Sequence, residues 1–108
     1  MSFNVKSISV FERQTKRLVK KYPSLKKEIQ ELIKELKNGP EKGISIGHNC
    51  YKIRLAIASK GKGKSGGARV ITQVIYKDDT VYLLSIYDKS DIATLTDKEI
   101  LELIQLIP

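Results

Sequence analysis

A chain of 108 residues, 41% hydrophobic and 30% charged, is sized for one domain over residues 1–108 with one core, and no apolar run nears the ~18 residues of a membrane span. The lone cysteine, Cys50, excludes an internal disulfide and an all-cysteine metal site. The opening Met1-Ser2-Phe3-Asn4-Val5-Lys6 lacks the pattern of a secretory signal, so a soluble cytoplasmic protein is expected. The net charge of +8 divides unevenly: +6 over residues 1–50 (eleven Lys or Arg, five Glu), +6 over 51–76 with no acid, and −4 over 77–108 (three Lys, seven acids).

In chain order, residues 3–10 mix apolar and polar positions and predict a short strand whose alternation slips once. Phe11, Thr15, Leu18, Val19 and Tyr22 keep helical spacing until Pro23 stops the helix. Ser24 is placed to cap a second helix, whose stripe is Leu25, Ile29, Leu32, Ile33 and Leu36 and whose stop is Asn38-Gly39-Pro40. The two segments predict a helical hairpin. From Cys50 to Ala58 the period becomes two, with Tyr51, Ile53, Leu55 and Ile57 on one face and Lys52, Arg54, Ala56 and Ala58 on the other. Ser59 opens a basic turn, Lys60-Gly-Lys62-Gly-Lys64-Ser-Gly-Gly, and Arg69–Tyr76 reads as a central strand, apolar on both faces. Lys77-Asp78-Asp79-Thr80 predicts a hairpin turn into a last strand, Val81–Tyr87. Thr96-Asp97-Lys98-Glu99 is a capping box, with Leu95 and Ile100 as a hydrophobic staple, opening a terminal helix with Ile100, Leu101, Ile104 and Ile107 inward. The expected order is β-α-α-β-β-β-α, an α+β fold with an antiparallel sheet and helices packed on one face. The other face would carry Lys52 beside Arg54.

Six cations without an acid over residues 51–76 repel one another unless a polyanion neutralises them, and nucleic acid does this well. A solvated basic surface is the plainer alternative. His48 is the only histidine, in a predicted loop, and no Asp, Glu or Cys set has metal-ligand spacing, so neither a metal nor another cofactor is implied. The Gly-rich run at 60–67 joins two strands rather than opening a helix, which sets it apart from nucleotide-binding phosphate loops. A basic, metal-free site suits RNA, whose 2′-hydroxyl can attack the adjacent phosphate once its proton is accepted and the phosphorane charge is met. Arg stays protonated, so Lys52, crowded by cations and beside Arg54, is the candidate base; Arg69, at the entry to the central strand, is the candidate phosphate clamp. Tyr87 could stack on a base, donate a proton, or simply end a strand.

Cys50-Tyr51-Lys52-Ile53-Arg54-Leu55, then Lys60-Gly-Lys-Gly-Lys-Ser-Gly-Gly-Ala-Arg69-Val-Ile, then Tyr82-Leu-Leu-Ser-Ile-Tyr87-Asp-Lys89 resemble the RelE/HigB toxins of bacterial type II toxin–antitoxin systems, over most of the chain. The resemblance implies the microbial RNase-like fold, endoribonuclease cleavage of messenger RNA on the ribosome, translation inhibition, and a cognate antitoxin. It implies catalytic-site roles for Lys52, Arg54, Arg69 and Lys89, with Tyr87 joining them. The best-known members carry a catalytic tyrosine in the C-terminal segment. Here no tyrosine follows Tyr87, which would have to substitute. Lys60, Lys62 and Lys64 are expected to contact ribosomal or messenger RNA. A ParE-like inhibitor of DNA gyrase, on the same fold, and a non-catalytic RNA-binding protein remain the alternatives.

Overall fold

The stripes expected of the helical hairpin are those the fold buries. The computed structural model describes residues 2–61 and 63–108, without the side chains of residues 59 and 64. Helix α1 (Ser9–Lys21) buries Phe11 and Leu18, and α2 (Leu25–Asn38) buries Leu25, Ile29, Leu32 and Leu36. Ser24 departs from expectation: it already lies in the right-handed helical region, and its side chain makes no capping bond. A side-chain cap needs an extended backbone at that position. Here the Leu25 N–H bonds the Tyr22 carbonyl at 3.0 Å instead, so the turn after Pro23 runs straight into α2.

Five strands form one sheet in the order β1-β5-β4-β3-β2: β1 (Asn4–Ser7), β2 (Ile44–Gly47), β3 (Cys50–Leu55), β4 (Ala68–Ile75) and β5 (Thr80–Asp88). The α+β class is as expected, and three details are corrected. First, β2 is an additional strand. It forms a hairpin with β3 through His48 and Asn49, both left-handed (φ 55° and 58°), the conformation that matches strand twist in a two-residue turn. Second, the sheet is mixed, because β1 runs parallel to β5 while the other pairs are antiparallel.

Third, the helices do not share one face. Residues opposite one another in paired strands point the same way, so Ile53, Val70 and Ile86 share one face and Lys52, Ile71 and Ser85 the other. On β5 the register steps from Ile71–Ser85 to Thr72–Leu83, leaving Leu84 as a bulge. That step puts Leu83 on the first face, where it lines a cleft with Phe11, Ile29 and Ile33 of α1 and α2. The terminal helix α3 (Asp97–Ile104) lies over the second face, its Ile100 lining a cleft with Ile71 and Lys52. Ile100 is buried there, but Leu101 is exposed, and Leu103 joins Ile104 and Ile107 as half-buried contacts. The capping box forms as read: Thr96 Oγ1 accepts from the Glu99 N–H at 3.1 Å, and the Thr96 N–H donates to Glu99 Oε1 at 2.9 Å. Among the described residues, no helix is long and apolar enough to cross a membrane.

Candidate functional site

The second face is where the candidate side chains gather. Arg54 on β3 stands opposite Arg69 on β4, which stands opposite Tyr87 on β5, so three neighbouring strands contribute one transverse row. With strands about 4.8 Å apart, the row spans roughly 10 Å, comparable to a phosphodiester with its flanking sugars. Lys52 lies two residues along β3 on the same face, half-buried, its Nζ donating to Thr94 Oγ1 at 3.2 Å in the lead-in to α3. Lys89, just past β5, is exposed.

Burial divides the row. Arg54 is exposed, whereas Arg69 is 4% exposed. The Arg69 guanidinium donates from Nη1 to the Ala68 carbonyl and from Nη2 to the Ser65 carbonyl, each at 3.1 Å. Burial and then the facing charge of Arg54 lower its pKa, with Tyr87 working the other way. A guanidinium does not deprotonate in this range, so the strain stays in the structure as unfavourable charge. Like charges opposite one another on a sheet are destabilising, and an anion seated between them removes the penalty. Tyr87 is also 4% exposed, and its hydroxyl has no hydrogen-bond partner among the described residues. Burial raises the phenol pKa, against the pull of Arg69 and with a smaller push from Glu99, so Tyr87 stays protonated near neutrality.

Lys60 is not an unengaged cation: its ammonium bonds Asp88 Oδ1 at 2.7 Å and Ser90 Oγ at 2.9 Å, 15% exposed against 2% for Asp88. Burial would raise the Asp88 carboxyl. Hydrogen bonds from Lys60 and from the Ser90 hydroxyl and N–H, together with the Lys60 charge, outweigh it and hold the group well below the usual carboxylate range. The same hydrogen bond is the main reason the Lys60 pKa is raised. Composition gave no sign of this pairing, since the acid lies 28 residues away. Lys62 lies outside the described residues, as does the side chain of Lys64.

Two further groups have settled roles. Cys50 is fully buried, its thiol pushed up to about 11 by burial, which makes it a core residue rather than a nucleophile. His48 pairs with Asp97 at 3.1 Å and joins the β2–β3 turn to the start of α3. Among the described residues no three His, Cys, Asp or Glu side chains gather as a metal-binding group. Sequence reading missed Thr94, which bonds Lys52, and Ser65, which holds Arg69, because carbonyls and hydroxyls in a connecting loop carry no spacing signal.

Residues 8–106 match the family described as the RelE toxin of the RelE/RelB toxin–antitoxin system. Among solved structures, the chain is similar to E. coli toxin RelE carrying two Arg-to-Ala substitutions in the free state, at 18% identity and TM-score 0.63, with all of both chains covered. The isolated E. coli RelE toxin is similar at 18% identity and TM-score 0.58, covering 98% of this chain and all of the other. The doubly substituted RelE in complex with a peptide of the antitoxin RelB is similar at 19% identity and TM-score 0.59, over all of both chains. At these identities the structural likeness speaks to the fold.

Proposed function

This chain belongs to the RelE toxin family of RelE/RelB toxin–antitoxin systems, and from that premise we propose that it acts as one domain, residues 1–108, in the cytoplasm, as a ribosome-dependent endoribonuclease that cuts messenger RNA and arrests translation. The observation that carries the reading is the row Arg54–Arg69–Tyr87 beside Lys52: cations from two adjacent strands and a protonated phenol from a third, on one sheet face.

The chemistry needs no metal. The 2′-hydroxyl oxygen attacks the adjacent phosphorus as its proton passes to a base, and the bond to the 5′-oxygen breaks. The products are a 2′,3′-cyclic phosphate and a 5′-hydroxyl. Lys52, two residues along β3 from Arg54 on the same face, is the base in this reading. Arg54, exposed, meets the phosphorane oxygens directly, and Arg69 supplies fixed positive charge beneath them. Tyr87, held protonated, is the donor to the departing oxygen in this reading. Lys89, with Lys62 and Lys64 of the basic turn, would track the RNA backbone on the ribosome.

The partner expected in the cell is a cognate antitoxin with an acidic, amphipathic segment, because the surface to be silenced is cationic. The test is cleavage of a defined messenger RNA in a translating extract by purified protein. Arg54→Ala and Arg69→Ala are each expected to lower the cleavage rate by about 10²–10³, the usual loss when one preorganised electrostatic contact to a transition state is removed. Cleavage undiminished in Arg69→Ala removes that residue from the mechanism. Undiminished cleavage in both variants removes the row.

A further inference from the structure

Behind the row, one buried carboxylate ties three parts of the chain together. Asp88 Oδ1 accepts from the Lys60 ammonium, from the Ser90 N–H at 3.0 Å and from the Ser90 hydroxyl at 2.7 Å. Its other oxygen accepts from the Tyr22 hydroxyl, at the end of α1, at 3.2 Å. The Lys60 ammonium also lies 6.0 Å from the centre of the Tyr22 ring. A surface ion pair contributes little. A carboxylate 2% exposed, with both oxygens engaged, instead holds its partners in one arrangement.

The connection between β3 and β4 is therefore held at both ends from the same place. Near its start Lys60 is held by Asp88. At its end the Gly67 carbonyl accepts from the Lys89 N–H at 3.0 Å. Gly67 passes so close to β3 that a Cβ there would sit 2.0 Å from the Leu55 carbonyl oxygen, so the backbone admits no other residue without moving. Between the two anchors lies Ser65, whose carbonyl receives Arg69 Nη2.

We propose that Lys60, with Asp88 and Tyr22, is a positioning residue: its buried ion pair anchors the chain after β3 so that the Ser65 carbonyl orients the Arg69 guanidinium. This rests on the reading of Arg69 as the charge beneath the scissile phosphate. It departs from the use of Lys60 as an RNA contact, and the two roles differ in measurable ways. An ammonium on a phosphate releases counterions, so removing it flattens the salt dependence of single-strand binding by about 0.7 per contact. An ammonium already neutralised by Asp88 leaves that slope alone.

The experiment takes the full chain with Lys60→Met, Lys60→Arg, Asp88→Asn and the double variant Lys60→Met/Asp88→Asn. It follows the Arg69 Nε–H resonance by NMR, the kcat and KM of messenger RNA cleavage in a translating extract, and the salt dependence of binding to a single-stranded RNA oligonucleotide. Lys60→Met is expected to shift or broaden the Arg69 resonance and lower kcat about tenfold, with KM and the salt slope unchanged. Lys60→Arg restores most of the rate, and the double variant is no worse than either single one. A raised KM with a flattened slope makes Lys60 an RNA contact and overturns the proposal. So does an Arg69 resonance and rate indifferent to Lys60→Met. If the unsubstituted protein leaves messenger RNA intact, the proposed activity is what fails, and the Arg69 resonance still decides the positioning.

Discussion

On one face of the sheet Ile53, Val70, Leu83 and Ile86 lie beneath α1 and α2; on the other, one step along the same strands, stand Arg54, Arg69 and Tyr87. The first face is mostly apolar, with Thr72 and Asp88 as its polar positions, and its apolar set could be exchanged for any well-packed one of similar volume. The second keeps two guanidinium groups opposite each other, one of them 4% exposed, and a buried hydroxyl without a partner among the described residues. Each of these costs stability, and apolar residues of the same size would cost less. Apolar burial dominates the first face, while the second gives up stability at Arg54, Arg69 and Tyr87, the expected distribution when a face has chemistry to perform.

The separation can be broken from either side, and the largest effect is expected on the helical face. Leu32→Ala, at a side chain with no exposure, should cost about 2–5 kcal/mol in urea unfolding, while the folded fraction still cleaves normally. Loss of cleavage in that fraction would show the two faces to be coupled. Arg54→Ala should do the reverse, lowering cleavage by about 10²–10³ with unfolding unchanged or slightly harder, because one of two facing charges is gone. Tyr87→Phe should combine both signs: a gain of about 1 kcal/mol from deleting an unsatisfied buried hydroxyl, with slower cleavage. A Tyr87→Phe protein that is less stable would mean that the hydroxyl is satisfied in solution.

Smaller effects probe the supports of the second face. Thr96→Ala removes the α3 capping box and should cost about 1 kcal/mol, seen first as faster hydrogen exchange in α3. The Lys60–Asp88 pair sets a pH dependence whose sign is fixed by its two shifts. Asp88 has its folded pKa depressed, so its contribution is present above the unfolded value near 4 and lost as pH falls below it. Lys60 has its folded pKa raised, so its share persists up to the unfolded value of about 10.4 and disappears only as pH rises through the folded one. The urea midpoint of Asp88→Asn should thus fall below that of the parent near neutrality and converge with it as pH drops below about 4. Parallel curves through that range would remove the ion pair from the stability of the fold.

What could be read along the chain was whatever repeats within a few residues. The stripes Phe11–Leu18 and Leu25–Leu36 mark helix faces, the alternation from Tyr51 to Leu55 places Lys52 and Arg54 together, and Thr96 with Glu99 forms its box. Ile44–Gly47 escaped because four residues of alternation are too few to register, and the strand exists only by pairing with β3. Leu101 was expected inward because helical spacing alone admits it. The side on which α3 docks rotates it outward and brings Leu103 in. Ser24 had the right residue type for a cap, but its position in the turn after Pro23 denied it the backbone conformation.

Local sequence thus determined the class of the fold, the helix faces and the side-by-side placement of Lys52 and Arg54, since backbone geometry within a strand or helix obeys near neighbours. Tertiary structure alone decided that Arg69 and Tyr87 complete their row, that α3 covers the second face, and that Lys60 is bound to Asp88 rather than standing open to solvent. Those facts depend on strand register, on a one-residue bulge at Leu84 and on burial. Each is settled by contacts between residues far apart in the chain, where periodicity carries no information.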